Sequence, residues 1–234
     1  MVRHLSTAVS LAALLCVAPA QAVTVYSNNF DAPAATGGGA VATLTTSGFI
    51  GSSVGAFNAT YGNFLRGESN SVATELTLSS LPGHTAVSMG YIFGFMDSWD
   101  SRNGGCCSPD NVDVYIDGVL TFSYTYNNAL GSIKDVGAGT VLHEYVQFDG
   151  NFFYSDTIVD MSTDPGYSFA HSGSTLKIGW IASGAGWQGG GDEGYALDNI
   201  RVAVNGVPEP STYALMALGL AGVGAMVRRR RSAV

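Results

Sequence analysis

The chain has 234 residues and a formal net charge of −8. The imbalance is greater in residues 23–206, where 17 acidic and five basic side chains leave a net charge of −12. This charge excludes nucleic acid and anionic lipid as partners of that segment, because both would be repelled. Cations and neutral polymers such as glycans remain open.

The first 22 residues have the pattern of a secretory signal peptide. A short polar start is followed by an apolar run over residues 5–17, and Ala20 and Ala22 form an A-x-A cleavage site. We therefore expect cleavage after Ala22. An uncleaved membrane anchor is disfavoured because the apolar run is short. A lipoprotein signal at Cys16 is disfavoured because Leu15 is larger than the small residue expected before such a cysteine.

Residues 23–206 are long enough for one domain, and their pattern predicts an all-β fold. Short runs rich in Val, Thr, Tyr and Phe alternate with Gly, Asn, Asp and Pro, and no run has sustained helical periodicity. About ten strands of this kind predict an antiparallel β-sandwich or jelly roll. The clearest predicted strands are residues 72–78, 86–96, 111–126 with a hairpin turn at Asp117 and Gly118, 145–148, 174–182 and 196–204.

Aspartates at the predicted strand ends are candidate calcium ligands, because Ca²⁺ prefers oxygen donors from carboxylates and backbone carbonyls. Asp31 and Asp198 would meet if the first and last strands pair. Asp97 and Asp100 form a second candidate pair. The loop–strand junctions around that second pair contain four aspartates: Asp97, Asp100, Asp110 and Asp113. The alternative is that these residues are there because aspartate favours turns and strand ends.

Tryptophans in polar loops are candidates for stacking on sugar rings. Trp99 and Trp187 both lie in such loops. Trp180 continues the alternating apolar row of Leu176 and Ile178, so we expect it in the core.

Cys106 and Cys107 are the two cysteines that remain after removal of the signal peptide. An exported compartment favours oxidation. Their adjacency leaves a strained disulfide between neighbours, intermolecular bonds, or two free thiols in a loop.

Patterns associated with catalysis occur, but their context argues against an enzyme. Residues 51–55 match G-x-S-x-G without the strand and helix that a nucleophile elbow requires. Residues 189–194 match G-x-G-x-x-G but lead into a predicted strand instead of a helix. No metal-ligand spacing relates the histidines, and no spacing selects a catalytic pair among the glutamates. These residues are His84, His143 and His171, and Glu68, Glu75, Glu144 and Glu193.

The C-terminal tail begins with Val207, Pro208, Glu209 and Pro210, whose prolines favour an extended backbone. Residues 211–227 carry no charge and predict a transmembrane helix. At about 1.5 Å per residue its length is roughly 25 Å, close to the hydrocarbon thickness of roughly 30 Å. A basic cluster then predicts a membrane stop on the cytoplasmic side. It consists of Arg228, Arg229, Arg230 and Arg231.

These three parts, in this order, resemble the PEP-CTERM sorting signal. The resemblance implies a Gram-negative envelope and processing of the tail by an exosortase, a membrane-embedded transpeptidase-like enzyme. The signal peptide implies export through Sec. The tail would hold the protein in the inner membrane before processing, and the product would then reach the cell surface or the extracellular space.

Short segments of residues 23–206 resemble secreted jelly-roll modules and carbohydrate-binding modules of similar architecture. They include Phe30-Asp31, Asp97-Ser98-Trp99-Asp100 and Leu197-Asp198-Asn199-Ile200. We therefore expect a non-enzymatic structural or adhesive protein of the cell surface or extracellular matrix. The alternative is a lectin-like module that binds exopolysaccharide, with Ca²⁺ as a candidate stabilising ion.

Overall fold

Alternating apolar and polar residues form the strands of two antiparallel sheets, which confirms the predicted β-sandwich. The structure is a computed structural model that describes residues 21–51, 60–103, 107–128, 134–146, 155–206 and 210–231. The predicted signal peptide lies almost wholly outside the described residues, and its cleavage after Ala22 stays a prediction.

The regular structure of these residues includes fifteen strands and a long C-terminal helix. The strands are β1 (Ala22–Asn28), β2 (Ala35–Thr36), β3 (Val41–Thr45), β4 (Phe49–Gly51), β5 (Phe64–Gly67), β6 (Thr74–Ser79), β7 (Ala86–Asp97), β8 (Asn111–Ile116), β9 (Val119–Tyr126), β10 (Lys134–Asp135), β11 (Thr140–Val146), β12 (Asp156–Asp160), β13 (Ser168–Ala170), β14 (Leu176–Ser183) and β15 (Glu193–Asn205). Two 3₁₀ turns, Met161–Thr163 and Pro165–Tyr167, follow β12. Helix α1 (Pro210–Arg231) ends the described chain.

The first sheet has the strand order β11-β12-β7-β15-β1-β2. β13 also pairs with β7, and β5 joins β15 to β4. The second sheet has the order β10-β9-β8-β14-β6-β3. The jelly-roll connectivity that the sequence resemblance implied stays a prediction.

The centre of the first sheet is the antiparallel pair formed by β7 and β15, the two longest strands. Their register runs from Glu193 opposite Asp97 to Val204 opposite Val87. A bulge interrupts it between Asp198 and Arg201.

The first and last strands pair, which is the condition that the sequence set for Asp31 and Asp198 to meet. Val23 lies opposite Val204, and the backbone N–H of Gly206 donates to the Gln21 carbonyl at 3.1 Å. The start of β1 and the end of β15 are therefore neighbours. The predicted cleavage site and the sorting tail consequently adjoin the same end of the sandwich.

Apolar side chains from both sheets fill the space between them. In β6, Leu76 and Leu78 are buried while the intervening residues are partly exposed, as the alternation predicts. Trp180 is also fully buried, in the row predicted for the core. Aromatic rings extend this core along β7, where Phe93 packs edge-on against Phe95 with centroids 4.8 Å apart.

The Asp117-Gly118 hairpin turn is confirmed. Both residues have positive φ, 50° and 80°, and Ile116 lies opposite Val119 in the β8–β9 pair. Positive φ at both central positions defines the turn type whose twist matches that of the flanking strands. The predicted strand over residues 145–148 overlaps the end of β11, and residues 147 and 148 lie outside the described part of the chain.

Candidate functional sites

Helix α1 carries the tail beyond the sandwich. It begins at Pro210, where a missing N–H costs no intrahelical hydrogen bond. The motif residues before it, Val207, Pro208 and Glu209, lie outside the described residues. Large apolar side chains along α1 are exposed: Leu215, Leu218, Leu220, Val223, Met226 and Val227.

The structure confirms a helix where residues 211–227 predict one, but not its transmembrane character. Among the residues that the structure describes, no helix combines the length and apolarity needed to cross a membrane.

An acidic cluster forms at the end of the sandwich opposite the tail. Asp100, Asp110 and Glu193 each place one carboxylate oxygen within 4.8 Å of the others. Asp100 follows β7, Asp110 precedes β8, and Glu193 opens β15. The structure thus groups Asp100 with Asp110 and Glu193, whereas the sequence analysis paired it with Asp97.

Asp97 is engaged in a buried ion pair. Its Oδ2 lies 2.7 Å from the Nη2 of Arg66, whose Nε lies 2.8 Å from Oε1 of Glu68. Sequence reasoning missed Arg66, although a single arginine in the apolar run Phe-Leu-Arg-Gly is a signal for a buried partner. This ion pair argues against Asp97 as a ligand, because its carboxylate already neutralises a cation.

Burial dominates the electrostatics of the acidic cluster. It raises the pKa of Asp110 to about 6 and that of Glu193 to about 7, and the charge of each neighbouring acid adds to the effect. The pKa of Asp100 is also raised, by burial and then by the charge of Asp192. Above neutral pH the cluster therefore holds several negative charges that repel one another.

Asp31 and Asp198 lie close enough for the charge of Asp31 to raise the pKa of Asp198. Burial raises the pKa of Asp198 to about 7, and the charge of Asp31 adds to this increase. Both oxygens of Asp198 accept hydrogen bonds from Asn199, from its backbone N–H at 2.6 Å and from its side-chain amide at 3.0 Å. Asp31 is exposed and accepts from the backbone N–H of Asn63 at 2.8 Å. Calcium binding at this pair stays a prediction.

Trp99 and Trp187 are both buried, which argues against the prediction that they stack on sugar rings. Trp99 is fully buried, and its indole N–H donates to the Gly194 carbonyl at 2.6 Å. Trp187 packs edge-on against Trp99 with centroids 5.2 Å apart. Sequence polarity around these residues was misleading, because the loops fold over the end of the sandwich and carry both rings inward.

The structure also describes one of the two cysteines, the three candidate histidines and the glycine-rich residues 189–194. Cys107 is half-buried with a φ of 67°, whereas Cys106 lies outside the described residues, so the disulfide alternatives stay predictions. Two of the three histidines meet: His84 Nε2 lies 2.7 Å from His171 Nδ1. Residues 189–194 lead into β15, in agreement with the sequence.

Three of the four glutamates considered for glycoside hydrolysis form ion pairs. Glu68 binds Arg66, Glu75 binds Lys177, and Glu144 binds Lys134. The fourth, Glu193, is fully buried.

Comparison with protein families identifies the tail. Residues 206–231 match the PEP-CTERM protein-sorting motif. No curated protein matches the chain. The motif confirms the resemblance noted in the sequence, and it indicates an exported precursor that associates with the membrane and is processed by an exosortase.

Replacing Trp99 by alanine should destabilise the sandwich. Loss of a buried indole and its packing typically costs about 3–5 kcal/mol of unfolding free energy. Chemical denaturation measures this change. Leu120→Ala, at a position that is 50% exposed, is the control and should alter stability by less than about 0.5 kcal/mol. An unchanged stability in the Trp99 variant would contradict the buried position.

The pKa of Asp198 predicts a pH-dependent stability in metal-free buffer. An unfolded aspartate has a pKa of about 4. Because the folded value is about 7, the unfolded state loses its proton first, and the free energy of unfolding falls as pH rises from about 4 to 7. Asp198→Asn should remove a share of this fall on the order of 3 kcal/mol, measured by denaturation at pH 4.5 and 8. Equal pH profiles for variant and wild type would refute this role.

Proposed function

We propose that this protein is a non-enzymatic structural or adhesive component of the cell surface or extracellular matrix. The β-sandwich would then lie outside the cell, and the PEP-CTERM tail would direct it there. The observation that carries it is the position of the two chain ends. β1 begins beside the end of β15, so the predicted signal-peptide junction and the sorting tail adjoin one end of the sandwich. The rest of the sandwich is then available for contacts outside the cell.

The ion pairs and burial of the candidate catalytic glutamates support a role without catalysis. A glycosidase needs two carboxyl groups facing each other across a cleft that admits the sugar. Glu68, Glu75 and Glu144 instead neutralise basic side chains. Glu193 is fully buried in a cluster with Asp110, so it does not line an open cleft.

Exopolysaccharide binding is the second candidate function, and a groove on the first sheet favours it. The groove has a volume of about 500 Å³ and is lined by residues of β7 and β15, by the end of β12 and by the turn after it. Its polar groups include Ser88, Asp160, Ser162, Asn199 and Arg201. Hydroxyl, amide and charged groups of this kind can bond sugar hydroxyls.

Self-association distinguishes the two functions. A structural or adhesive protein should assemble without polysaccharide, whereas a glycan-binding module should remain monomeric until the polymer is added. Analytical ultracentrifugation of the exported protein, with and without the producer's exopolysaccharide, measures this difference. A protein that is monomeric alone and assembles only on the polymer would overturn the structural proposal in favour of the second candidate.

Replacing Pro208, Glu209 and Pro210 together by alanine should block processing of the tail. The change removes the motif that the processing enzyme would recognise, but leaves the signal peptide intact. Export should continue, and unprocessed protein should accumulate in the inner membrane, as cell fractionation with immunoblotting would show. The double variant Ser211→Ala and Thr212→Ala is the adjacent control. Release of the triple variant at the wild-type level would exclude sorting through this motif.

Arg201→Ala should weaken retention on the producer's exopolysaccharide if the groove binds it. Arg201 is exposed in the groove, where its Nη2 also donates to Thr24 Oγ1 at 3.0 Å. Retention should fall several-fold in a pull-down with immobilised polymer. Lys177→Ala removes the same charge from the second sheet and should retain wild-type binding. Equal losses in both variants would indicate a general charge effect and not a groove.

A further inference from the structure

We propose that Asp100, Asp110 and Glu193 form a Ca²⁺ site at the end of the sandwich opposite the sorting tail. The site is independent of the structural and glycan-binding roles considered above. It differs from the Asp31–Asp198 pair, which lies at the bulge of β15.

Three separate segments bring the ligands together. Asp100 lies in the loop after β7, and an isolated bridge to Asn127 fixes its backbone. The backbone N–H of Asp110 donates to the Ser101 carbonyl at 3.0 Å, so the loop closes where β8 begins. Glu193 lies opposite Asp97 in the β7–β15 register. The three carboxylates therefore occupy positions that the sheet determines.

One carboxylate oxygen of each buried ligand accepts a hydrogen bond from a backbone N–H. Asp110 Oδ2 accepts from the backbone N–H of Asp100 at 2.8 Å, and Glu193 Oε2 accepts from the backbone N–H of Gln188 at 2.6 Å. These hydrogen bonds orient the carboxylates. Each leaves a second oxygen, Asp110 Oδ1 or Glu193 Oε1, outside these hydrogen bonds.

The second oxygens are the observation that points to a ligand. Asp110 and Glu193 are both fully buried. In the described part of the chain, no N–H or hydroxyl donor reaches Asp110 Oδ1 or Glu193 Oε1. A buried carboxylate oxygen without a donor is costly, and either a proton shared between the two carboxyls or a bound cation would satisfy it.

The charges around the cluster favour the cation. Asp192 adds a fourth acidic group, whereas Arg66 is already paired with Asp97 and Glu68. A divalent ion among these acids offsets the repulsion between their carboxylates.

The donor set selects Ca²⁺ among biological cations. All three ligands are carboxylates, and among the described residues no histidine or cysteine joins the cluster, which disfavours zinc. Ca²⁺ accepts irregular coordination by six to eight oxygens, so water can complete three protein ligands from different segments. Mg²⁺ requires a near-ideal octahedron and gives up its waters reluctantly.

Calcium titration of the mature exported protein, stripped of metal and held at pH 8 in detergent, tests the site. Calorimetry should show one Ca²⁺ bound per chain at this site, and Ca²⁺ should raise the melting temperature by several degrees, with Mg²⁺ much less effective. Asp110→Asn and Glu193→Gln should each abolish this increase. Asp113→Asn, which removes the same charge from β8, and Asp198→Asn should keep it.

A second readout covers variants that fold poorly. Tb³⁺ replaces Ca²⁺ at oxygen sites, and Trp99, adjacent to Asp100, should sensitise its luminescence. Signal that Ca²⁺ displaces in wild type and in Asp113→Asn, but not in Asp110→Asn, supports the site. The proposal is overturned if Ca²⁺ neither binds nor raises the melting temperature at pH 8. It is also overturned if Asp198→Asn removes the effect while Asp110→Asn preserves it.

Discussion

The antiparallel pairing of β7 with β15 is the constraint on which the rest of the structure depends. It places Glu193 opposite Asp97, and thereby brings the start of the last strand to the loop that contains Asp100 and Asp110. At the other end, the same strand pairs with β1 and sets the point from which the tail leaves. A slip of one residue in this register would turn every side chain of β15 to the opposite face.

The sequence predicted the elements whose residues alternate clearly. Leu76 and Leu78 identified β6, and Asp117 with Gly118 identified the turn between β8 and β9, because these patterns depend only on local geometry. Short edge strands such as β2 and β10 carry no such pattern, since two residues show no alternation. Their positions depend on partners that are remote in sequence.

The candidate sites were harder to predict for the same reason. Asp100 and Asp110 are ten positions apart, but Glu193 joins them only through the β7–β15 register. Trp99 and Trp187 lie in polar segments, and only the folded loops show that both rings pack inward. The sorting motif was predicted from sequence alone because its three parts are contiguous in the chain, so its identification does not depend on the tertiary fold.

β15 joins the two ends of the sandwich in a single strand. Its 13 residues span about 40 Å, from the acidic cluster at Glu193 to the start of the tail after Asn205. It is hydrogen-bonded to β7 on one side and to β1 and β5 on the other. A mechanical load applied between the far loops and a tethered tail would run along this strand, perpendicular to its ladder hydrogen bonds. Many bonds would then share the force in shear instead of breaking one at a time.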